Sequence, residues 1–462
     1  MQDLTSGSLN RHLLKTTSFM LVMMVFQTLY FLIDLYWVGR LGTDAVAAVG
    51  IAGNISFINL ALTQMLGVGT TTVVSHAVGR KAHDDACMMF NQAQVLSAIT
   101  GILFLVVGLA LRPAYAHAMS ADATTEKLAG EYLLWFIPAM ALQFAMVAMG
   151  AALRGVGNFK PTMIVATVTV LLNMVLAPIL IFGWLTGRAF GVTGAAMSTL
   201  ISVIVGVIWM TTYFLPRDSY LRFMSADWKP RIATWKRILA IGLPSGFEFA
   251  LMSLYLLIVY SISRPFGPAA QAGFSIGGRI VQAGFMPVVA LGFSVAPVAG
   301  QNFGARLSDR VRETFKRAAI MASAVMLLFT ILCHIAPAAL VDVFSDDPAA
   351  IGVGEEYLRI ISLNYVASGL IFVNSSMFQA MGNTIPSLLT SSVRILLVAI
   401  PAVILSRMAG FDLTWVWWLS VLSVFVQLGL SMYLLRREFG RRLNFEVPVA
   451  PVPTIPEPAV PA

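Results

Sequence analysis

The sequence has 462 residues, of which 58% are hydrophobic and only 11% are charged, and its mean hydropathy is +0.82. Because soluble domains carry roughly 25% charged residues, this composition excludes a soluble domain. The length allows a dozen membrane spans of about 20 residues each. The two cysteines, Cys87 and Cys333, give neither a metal-binding spacing nor a disulfide framework, which also excludes a catalytic cysteine.

Apolar stretches separated by charged and turn residues follow one another along the chain. In the first half they predict spans near residues 13–38, 46–76, 92–111, 131–153, 163–185 and 193–215. In the second half they predict spans near residues 237–263, 272–297, 316–339, 356–378, 388–406 and 413–435. We therefore expect an N-terminal six-helix lobe (1–215), a basic cytoplasmic linker (216–236) and a C-terminal six-helix lobe (237–435). Residues 436–462 should form a basic and then Pro-rich cytoplasmic tail, disordered from Val447 onward.

The chain repeats itself at one fixed offset, the offset that separates Glu131 from Glu356. Glu131, Tyr132, Leu133, Gly157, Asn158 and Pro161 correspond in this way to Glu356, Tyr357, Leu358, Gly382, Asn383 and Pro386. Such a repeat in an apolar chain is typical of secondary transporters, in which two halves rock about the substrate. Because each half has an even number of spans, both have the same orientation. The sequence therefore predicts an all-α polytopic membrane protein with 12 transmembrane helices, arranged as two six-helix bundles related by a pseudo-twofold axis along the membrane normal.

Lysine and arginine are unevenly distributed between the two sets of loops. With the N-terminus in the cytoplasm, 21 of these residues fall on the cytoplasmic side and 7 on the other, as the positive-inside rule requires. We therefore expect both termini in the cytoplasm and a location in the plasma membrane, the inner membrane of a bacterium. This bias accounts for the net charge of +8, so no nucleic-acid partner is expected.

Five blocks, in order along the chain, resemble one transporter family. They are Asp34–Gly50 (DLYWVGRLGTDAVAAVG), Leu153–Asn158 (LRGVGN), Leu172–Pro178 (LNMVLAP), Gly194–Thr199 (GAAMST) and Pro297–Ala305 (PVAGQNFGA). On a duplicated twelve-span scaffold they resemble the multidrug and toxic compound extrusion (MATE) family, from about residue 15 to 435. The resemblance implies a secondary active antiporter that exports amphipathic, often cationic drugs and toxic compounds in exchange for H+ or Na+, by alternating access.

Asp34 is an acid within the first predicted span. A carboxylate at the bilayer centre costs about 2.5 to 3.5 kcal/mol, so such an acid is a candidate functional residue. Gln27, Tyr30, Asp34 and Trp37 share one helical face, which makes Gln27 and Tyr30 candidates for substrate binding. The resemblance adds that the family carries an acid at this motif position. The alternative is a residue at the end of the span, solvated or paired with Arg40.

The resemblance also indicates partners for Asp34. Family members with an archaeal-type site have an Asn and, one turn later, an Asp on the fifth span, whereas this chain has Asn173 and then Ala177. Asp34 is therefore expected to have the neutral partners Asn173 and Thr199, and these three residues are the candidates for ion coupling. A single carboxylate among neutral groups suits a proton better than a selectively bound Na+. We expect proton coupling, with Na+ as the alternative.

Glu248 is the acid of the seventh predicted span. Many family members have a Glu two turns after a Gly-Leu-Pro motif, but here Glu248 follows Gly242–Pro244 after one turn and Met252 occupies the expected place. Residues 248, 252 and 255 share a face, so Glu248 and Tyr255 are candidates for binding a cationic substrate in the cleft. The alternative is that Glu248 neutralises a basic group at the cytoplasmic end.

The tenth predicted span has a polar stripe of Asn364, Ser368 and Ser375. Such residues tie helices together more often than they bind ligands, and Asn364 is kept as a candidate for substrate binding.

Three further polar residues within the spans have open roles. Arg279 and Arg394 either reach an interface or pair with an acid, and pairing is expected for Arg279. His76, which corresponds to Gln301 in the repeat, is either a proton relay or a hydrogen-bonded structural residue.

Other classes of membrane protein fit less well. A lipid-linked oligosaccharide flippase of the same superfamily would share the architecture, but those proteins carry several cleft-lining cations, whereas the cleft candidates here are acidic. An intramembrane enzyme would need paired histidines or a His-Glu motif within the spans, and a channel fits two equivalent halves less well than alternating access does. We expect no enzymatic activity and no cofactor or metal besides the coupling ion. The expected partners of a monomer are small amphipathic or cationic molecules and membrane lipids.

Overall fold

The computed structural model describes residues 3–185, 187–216, 218–408 and 410–445. Within these ranges the chain is helical and contains no β-strand. The Pro-rich tail expected from Val447 onward lies outside the described residues.

The two halves of the chain form two sets of long helices. The first set is α1 (Leu9–Gly39), α2 (Thr43–Gly79), α3 (His83–Met119), α4 (Ala123–Gly155), α5 (Phe159–Phe182) and α6 (Val192–Thr212). The second set is α7 (Ile232–Ser263), α8 (Pro268–Gly304), α9 (Ser308–Ile335), α10 (Pro337–Asp342), α11 (Pro348–Ile361), α12 (Tyr365–Ala380), α13 (Ile385–Leu405) and α14 (Leu413–Arg442).

Eleven stretches of the described chain are long and apolar enough to cross a membrane, and one of them combines α11 and α12. The 32-residue helix α7 corresponds to α1 in the repeat and brings the number of spans to twelve. The protein is therefore an all-α membrane protein with six spans in each of two bundles, as predicted.

Each predicted span overlaps one of these helices, but two spans of the second half are interrupted. α9 ends at Ile335 and a short helix starts at Pro337, because proline lacks the N–H that would continue the helical bonds. α11 and α12 are separated by the 3₁₀ turn Ser362–Asn364. The apolar runs near 316–339 and 356–378 are thus not single helices, because apolar composition alone does not show where a helix breaks.

Helix boundaries repeat at the same offset as the sequence does. α2 and α8 begin at the equivalent positions 43 and 268 and end at the equivalent positions 79 and 304. Likewise, α4 spans 123 to 155, while α11 and α12 together span 348 to 380. The duplication is therefore confirmed, and with an even number of spans in each half the pseudo-twofold axis runs along the membrane normal.

One end of the molecule, which we call the basic end, contains the turns after α2 and α8 with Arg80 and Arg306. Near this end each lobe receives the start of the other lobe's first helix. Leu13 of α1 is fully buried in the core of the C-terminal lobe, and its repeat equivalent Ile238 of α7 is fully buried in the core of the N-terminal lobe. This exchange of apolar side chains makes the basic end the closed end of the molecule.

α2 and α8 cross at the basic end through two equivalent glycines. A Cβ atom on Gly79 would collide with the carbonyl oxygen of Gln301, and a Cβ atom on Gly304 would collide with the carbonyl oxygen of His76. Residues 79 and 304, and likewise 76 and 301, are equivalent in the repeat. The absence of a Cβ atom allows the two backbones to approach this closely.

Two equivalent hydrogen bonds accompany the crossing. His76 Nε2 donates to the carbonyl oxygen of Ala380 at 2.6 Å, and Gln301 Nε2 donates to the carbonyl oxygen of Gly155 at 2.8 Å. Each bond joins the end of α2 or α8 to the end of the fourth span of the other lobe. Within this arrangement His76 is a buried, hydrogen-bonded structural residue, one of the two roles that the sequence left open.

Further from the basic end the lobes separate. Gly246 of α7 lies against Ala61 near the middle of α2, and Met20 of α1 packs with Ala290 of α8. Still further from the basic end, the side chains of Gln27 on α1 and Met252 on α7 are exposed. We infer a cleft between the lobes that opens toward the end opposite the basic end.

Replacing Gly79 by alanine should destabilise the closed basic end by about 1–3 kcal/mol, because the added methyl group overpacks the crossing. Gly304→Ala should have a similar effect. Gly53→Ala on the same helix α2 is the control, since a Cβ atom there meets no heavy atom within 4 Å. Thermal unfolding of the purified protein in detergent would test this, and equal Tm values for Gly79→Ala and Gly53→Ala would contradict it.

Candidate functional site

Polar side chains from α1, α5 and α6 meet inside the N-terminal lobe. The Tyr30 hydroxyl lies 3.1 Å from Thr199 Oγ1, and Asn173 Nδ2 donates to Thr199 Oγ1 at 3.2 Å and to Ser198 Oγ at 3.3 Å. Asn173 and Thr199 are buried. Three of the candidate residues therefore share one network. Ser198 was missed by the sequence analysis, although it lies within the block Gly194–Thr199.

Asp34 lies beside this network, one turn beyond Tyr30 on α1, which is about 6 Å along the helix axis. Its Oδ1 atom is buried and has no hydrogen-bond partner in the described part of the chain. Arg40, which the sequence offered as an alternative partner, donates to the Tyr36 hydroxyl and lies over the rings of Tyr36 and Trp37. A buried carboxylate oxygen without a donor is suited to bind a proton or a cation.

Two other side chains border Asp34 and Tyr30. Tyr132 of α4 is buried and close enough to both residues to interact with them electrostatically. In the sequence, Tyr132 stood out only as one of the repeated residues, equivalent to Tyr357. Gln27, one turn before Tyr30, is exposed on α1.

Glu248 lies about halfway along α7 and is held by serines of α13. Ser387 Oγ donates to Glu248 Oε2 at 2.9 Å and Ser391 Oγ donates to Oε1 at 2.8 Å. Ser375 Oγ of α12 lies 2.7 Å from Ser387 Oγ, and Gln427 of α14 donates to Ser391 at 3.3 Å. The carboxylate therefore points into the C-terminal lobe. Neutralisation of a basic group is not its role here, since its two oxygens accept from neutral hydroxyls.

Tyr255, two turns further along α7, contacts side chains of α13 and α14. Its hydroxyl lies 3.1 Å from Ser420 Oγ of α14, and the guanidinium carbon of Arg394 on α13 lies 5.3 Å from the centre of its ring. Asn364 is only 4% exposed and accepts a hydrogen bond from Ser368 at 3.3 Å. It lies in the 3₁₀ break between α11 and α12.

Arg279 on α8 was expected to pair with an acid, and the structure shows no such pair among the described residues. It is exposed, and the ion pairs found among the described residues do not include it. Among those same residues, no group of three His, Cys, Asp or Glu side chains could hold a metal ion.

Comparison with known proteins places this arrangement in a family. The model of the MatE family matches residues 20–179 and, separately, residues 244–405. The two matches cover one lobe each, in agreement with the duplication.

Individual relatives and solved structures agree with this match. The chain is 24% identical to the probable multidrug resistance protein YoeA of Bacillus subtilis over 402 residues, which cover 85% of this chain and 86% of YoeA. It is 25% identical to the multidrug export protein MepA of Staphylococcus haemolyticus over 367 residues, 79% of each chain. Among solved structures, an outward-facing multidrug resistance MATE family transporter of the MOP superfamily matches with a TM-score of 0.87 and 26% identity, covering 96% of this chain and 98% of the other.

The family match covers most of both lobes, and the relatives and the solved structure extend the similarity over nearly the whole chain. The twelve spans in two equivalent bundles, with an intramembrane acid beside a polar network, fit that assignment. The chain belongs to the MatE family, the multidrug and toxic compound extrusion (MATE) transporters.

Proposed function

We propose that this transporter is a proton-coupled antiporter that exports amphipathic, often cationic compounds by alternating access. The observation that carries the proposal is Asp34, whose buried Oδ1 atom has no hydrogen-bond partner in the described part of the chain. It lies beside the Tyr30–Thr199–Asn173 network, in the lobe interior. An acid in this position can bind and release a proton as its access to water changes.

The basic end is proposed to face the cytoplasm, with both chain termini on that side of the plasma membrane. The support is the excess of Lys and Arg in the loops of that side. The described conformation is then closed to the cytoplasm and open to the outside. Alternating access would require the crossing of α2 and α8 at Gly79 and Gly304 to separate while the lobes approach each other at the other end.

Proton coupling is favoured over sodium coupling by the partners that surround Asp34. Asn173 uses its amide N–H groups as donors to Thr199 and Ser198, and Ala177 supplies no second carboxylate. A hard cation such as Na+ needs several oxygen ligands around it, whereas a proton needs only one carboxylate oxygen.

Glu248 and Tyr255 are proposed to bind the positively charged part of the substrate from the C-terminal lobe, with Gln27 and Tyr30 contributing from the other side of the cleft. The serines around Glu248 hold its carboxylate in place, and a desolvated carboxylate attracts a cation strongly. A lipid-linked oligosaccharide flippase is not favoured, since the named relatives are multidrug resistance and export proteins.

Asp34→Asn should abolish efflux driven by an ion gradient, because the amide cannot exchange a proton, while the protein remains folded in the membrane. Efflux of ethidium from proteoliposomes would measure this, with Tm as the check on folding. Asp44→Asn, which changes an exposed acid at the start of α2, should retain the wild-type rate. Near-normal efflux by well-folded Asp34→Asn protein would refute the role given to Asp34.

Imposed gradients should separate the two coupling ions. A pH gradient with the acidic side outside, imposed at equal Na+ concentrations, should drive ethidium efflux. A Na+ gradient at fixed pH should not, because one carboxylate among neutral groups retains Na+ poorly. The opposite result, with efflux following Na+ and ignoring pH, would assign sodium coupling to this protein.

Glu248→Gln should weaken transport of cationic substrates much more than that of neutral amphiphiles, since only the cation gains from the carboxylate charge. Adding Met252→Glu should restore part of the cation transport, because residue 252 is on the same face and 60% exposed. Glu355→Gln, which removes a peripheral acid paired with Arg359, serves as the control. Equal losses for cationic and neutral compounds, with no recovery in the double variant, would make Glu248 a structural residue only.

A further inference from the structure

Arg394 is a charged group in the C-terminal lobe that the proposed proton and cation chemistry does not use. It lies near the middle of α13 and is half-buried. Its Nε atom is buried and has no hydrogen-bond partner in the described part of the chain. A guanidinium within a membrane span that lacks a counter-charge is costly, so this group is suited to bind an anion.

Glu248 does not supply that counter-charge. Its two carboxylate oxygens accept from Ser387 and Ser391, and no ion pair between described residues joins it to Arg394. The contact that Arg394 does make is with the face of the Tyr255 ring at 5.3 Å. Stacking on an aromatic ring fixes the plane of a guanidinium and leaves its N–H groups free for a ligand.

The repeat places equivalent tyrosines in the two lobes. The charged residue beside them is an acid in one lobe and a base in the other. Tyr255 and Tyr357 of the C-terminal lobe correspond to Tyr30 and Tyr132 of the N-terminal lobe. Arg394 and Val259 correspond to Thr169 and Asp34. The N-terminal lobe thus has an acid beside its tyrosine pair and the C-terminal lobe has a base.

Arg279 lies on the face of α8 that is directed toward the other lobe. Ala290 on this face packs with Met20 of α1, and Gly304 meets His76 of α2. Positions 279 and 290 are separated by about three helical turns and positions 290 and 304 by about four, so all three share one stripe. Because Arg279 is exposed, its side chain borders the cleft.

Arg279 also lies at nearly the same depth as Arg394 and Tyr255. Arg279 is about three helical turns from the start of α8, Arg394 about three turns from the end of α13, and Tyr255 about two turns from the end of α7. From the rise of an α-helix, these positions are about 12 to 16 Å from the end opposite the basic end. An anion entering the cleft from that end would reach the level of both arginines at about the same depth.

We propose that Arg394 and Tyr255 form an anion-binding subsite in the C-terminal lobe, at about the depth of Arg279, and that the subsite takes the carboxylate group of an amphipathic substrate. A zwitterion would then be held by its carboxylate at Arg394 and by its positive group at Glu248, the residue proposed above for cations. This rests on the proposed function, because the ligand is a transported substrate. A guanidinium binds a carboxylate through two parallel N–H bonds, which gives the subsite its selectivity.

Equilibrium binding of two matched dyes to the purified full-length protein tests the subsite. Rhodamine 110 carries a free carboxylate, and rhodamine 123 is its methyl ester, so the pair differs only in the group that Arg394 would bind. Fluorescence anisotropy should show that Arg394→Gln raises the Kd for rhodamine 110 about tenfold and the Kd for rhodamine 123 less than twofold. Arg394→Lys should give an intermediate loss, since it keeps the charge but not the fork of donors.

Two further variants keep the test decisive if Arg394→Gln folds poorly. Arg279→Gln changes an exposed residue. It should raise the Kd for rhodamine 110, by a smaller factor than Arg394→Gln does, and leave the Kd for rhodamine 123 unchanged. Arg359→Gln, which removes an arginine already paired with Glu355, should change neither affinity. Equal losses for the two dyes in the Arg394 and Arg279 variants, or no binding of rhodamine 110 by the wild type, would overturn the subsite. Because binding is measured without any ion gradient, failure here is distinct from failure of proton-coupled efflux.

Discussion

The close crossing of α2 and α8 at the basic end is the contact on which the arrangement of the two lobes depends. Gly79 and Gly304 allow each helix backbone to reach the other, and the bonds from His76 and Gln301 fix the ends of the fourth spans across the lobe boundary. Without a hydrophobic driving force between helices in lipid, small residues and interhelical hydrogen bonds provide much of the attraction. Joining the lobes at one end leaves a cleft at the other, while the polar networks around Asp34 and Glu248 lie inside the two lobes.

The duplicated scaffold has kept its helix geometry while its polar residues have diverged. Equivalent tyrosines occupy both lobes, but Asp34 has Val259 as its equivalent and Thr169 has Arg394. The two acids also differ in their surroundings. Asp34 has a buried oxygen for which the described residues supply no donor, whereas both oxygens of Glu248 accept from serines. The first carboxylate has an oxygen available for a proton or a cation, and the second is fixed in position by two hydroxyls, which fits different roles in one transport cycle.

Side-chain partnerships in the C-terminal lobe were the least accessible to sequence reasoning. Glu248 was identified as an acid of the seventh span, but its serine partners lie 139 and 143 residues away along the chain. Asn364 was a candidate for substrate binding, and the structure places it in the buried break between α11 and α12. The N-terminal network was more predictable, because the resemblance indicated Asn173 and Thr199 together with Asp34. Ser198 and Tyr132 joined it only once the helices were packed.

The sequence by itself determined the membrane class, the number of spans, the duplication and the family, because these depend on composition, local hydropathy and short blocks read along the chain. The tertiary structure alone decided which end is closed, which oxygen of Asp34 has no donor among the residues that the structure describes, and that Arg394 lies over Tyr255. The physical reason is that these helices are apolar on almost every side, since lipid and protein interior are both apolar. The pattern of apolar residues therefore does not orient a span about its own axis, and only packing against the other spans sets which side chains meet.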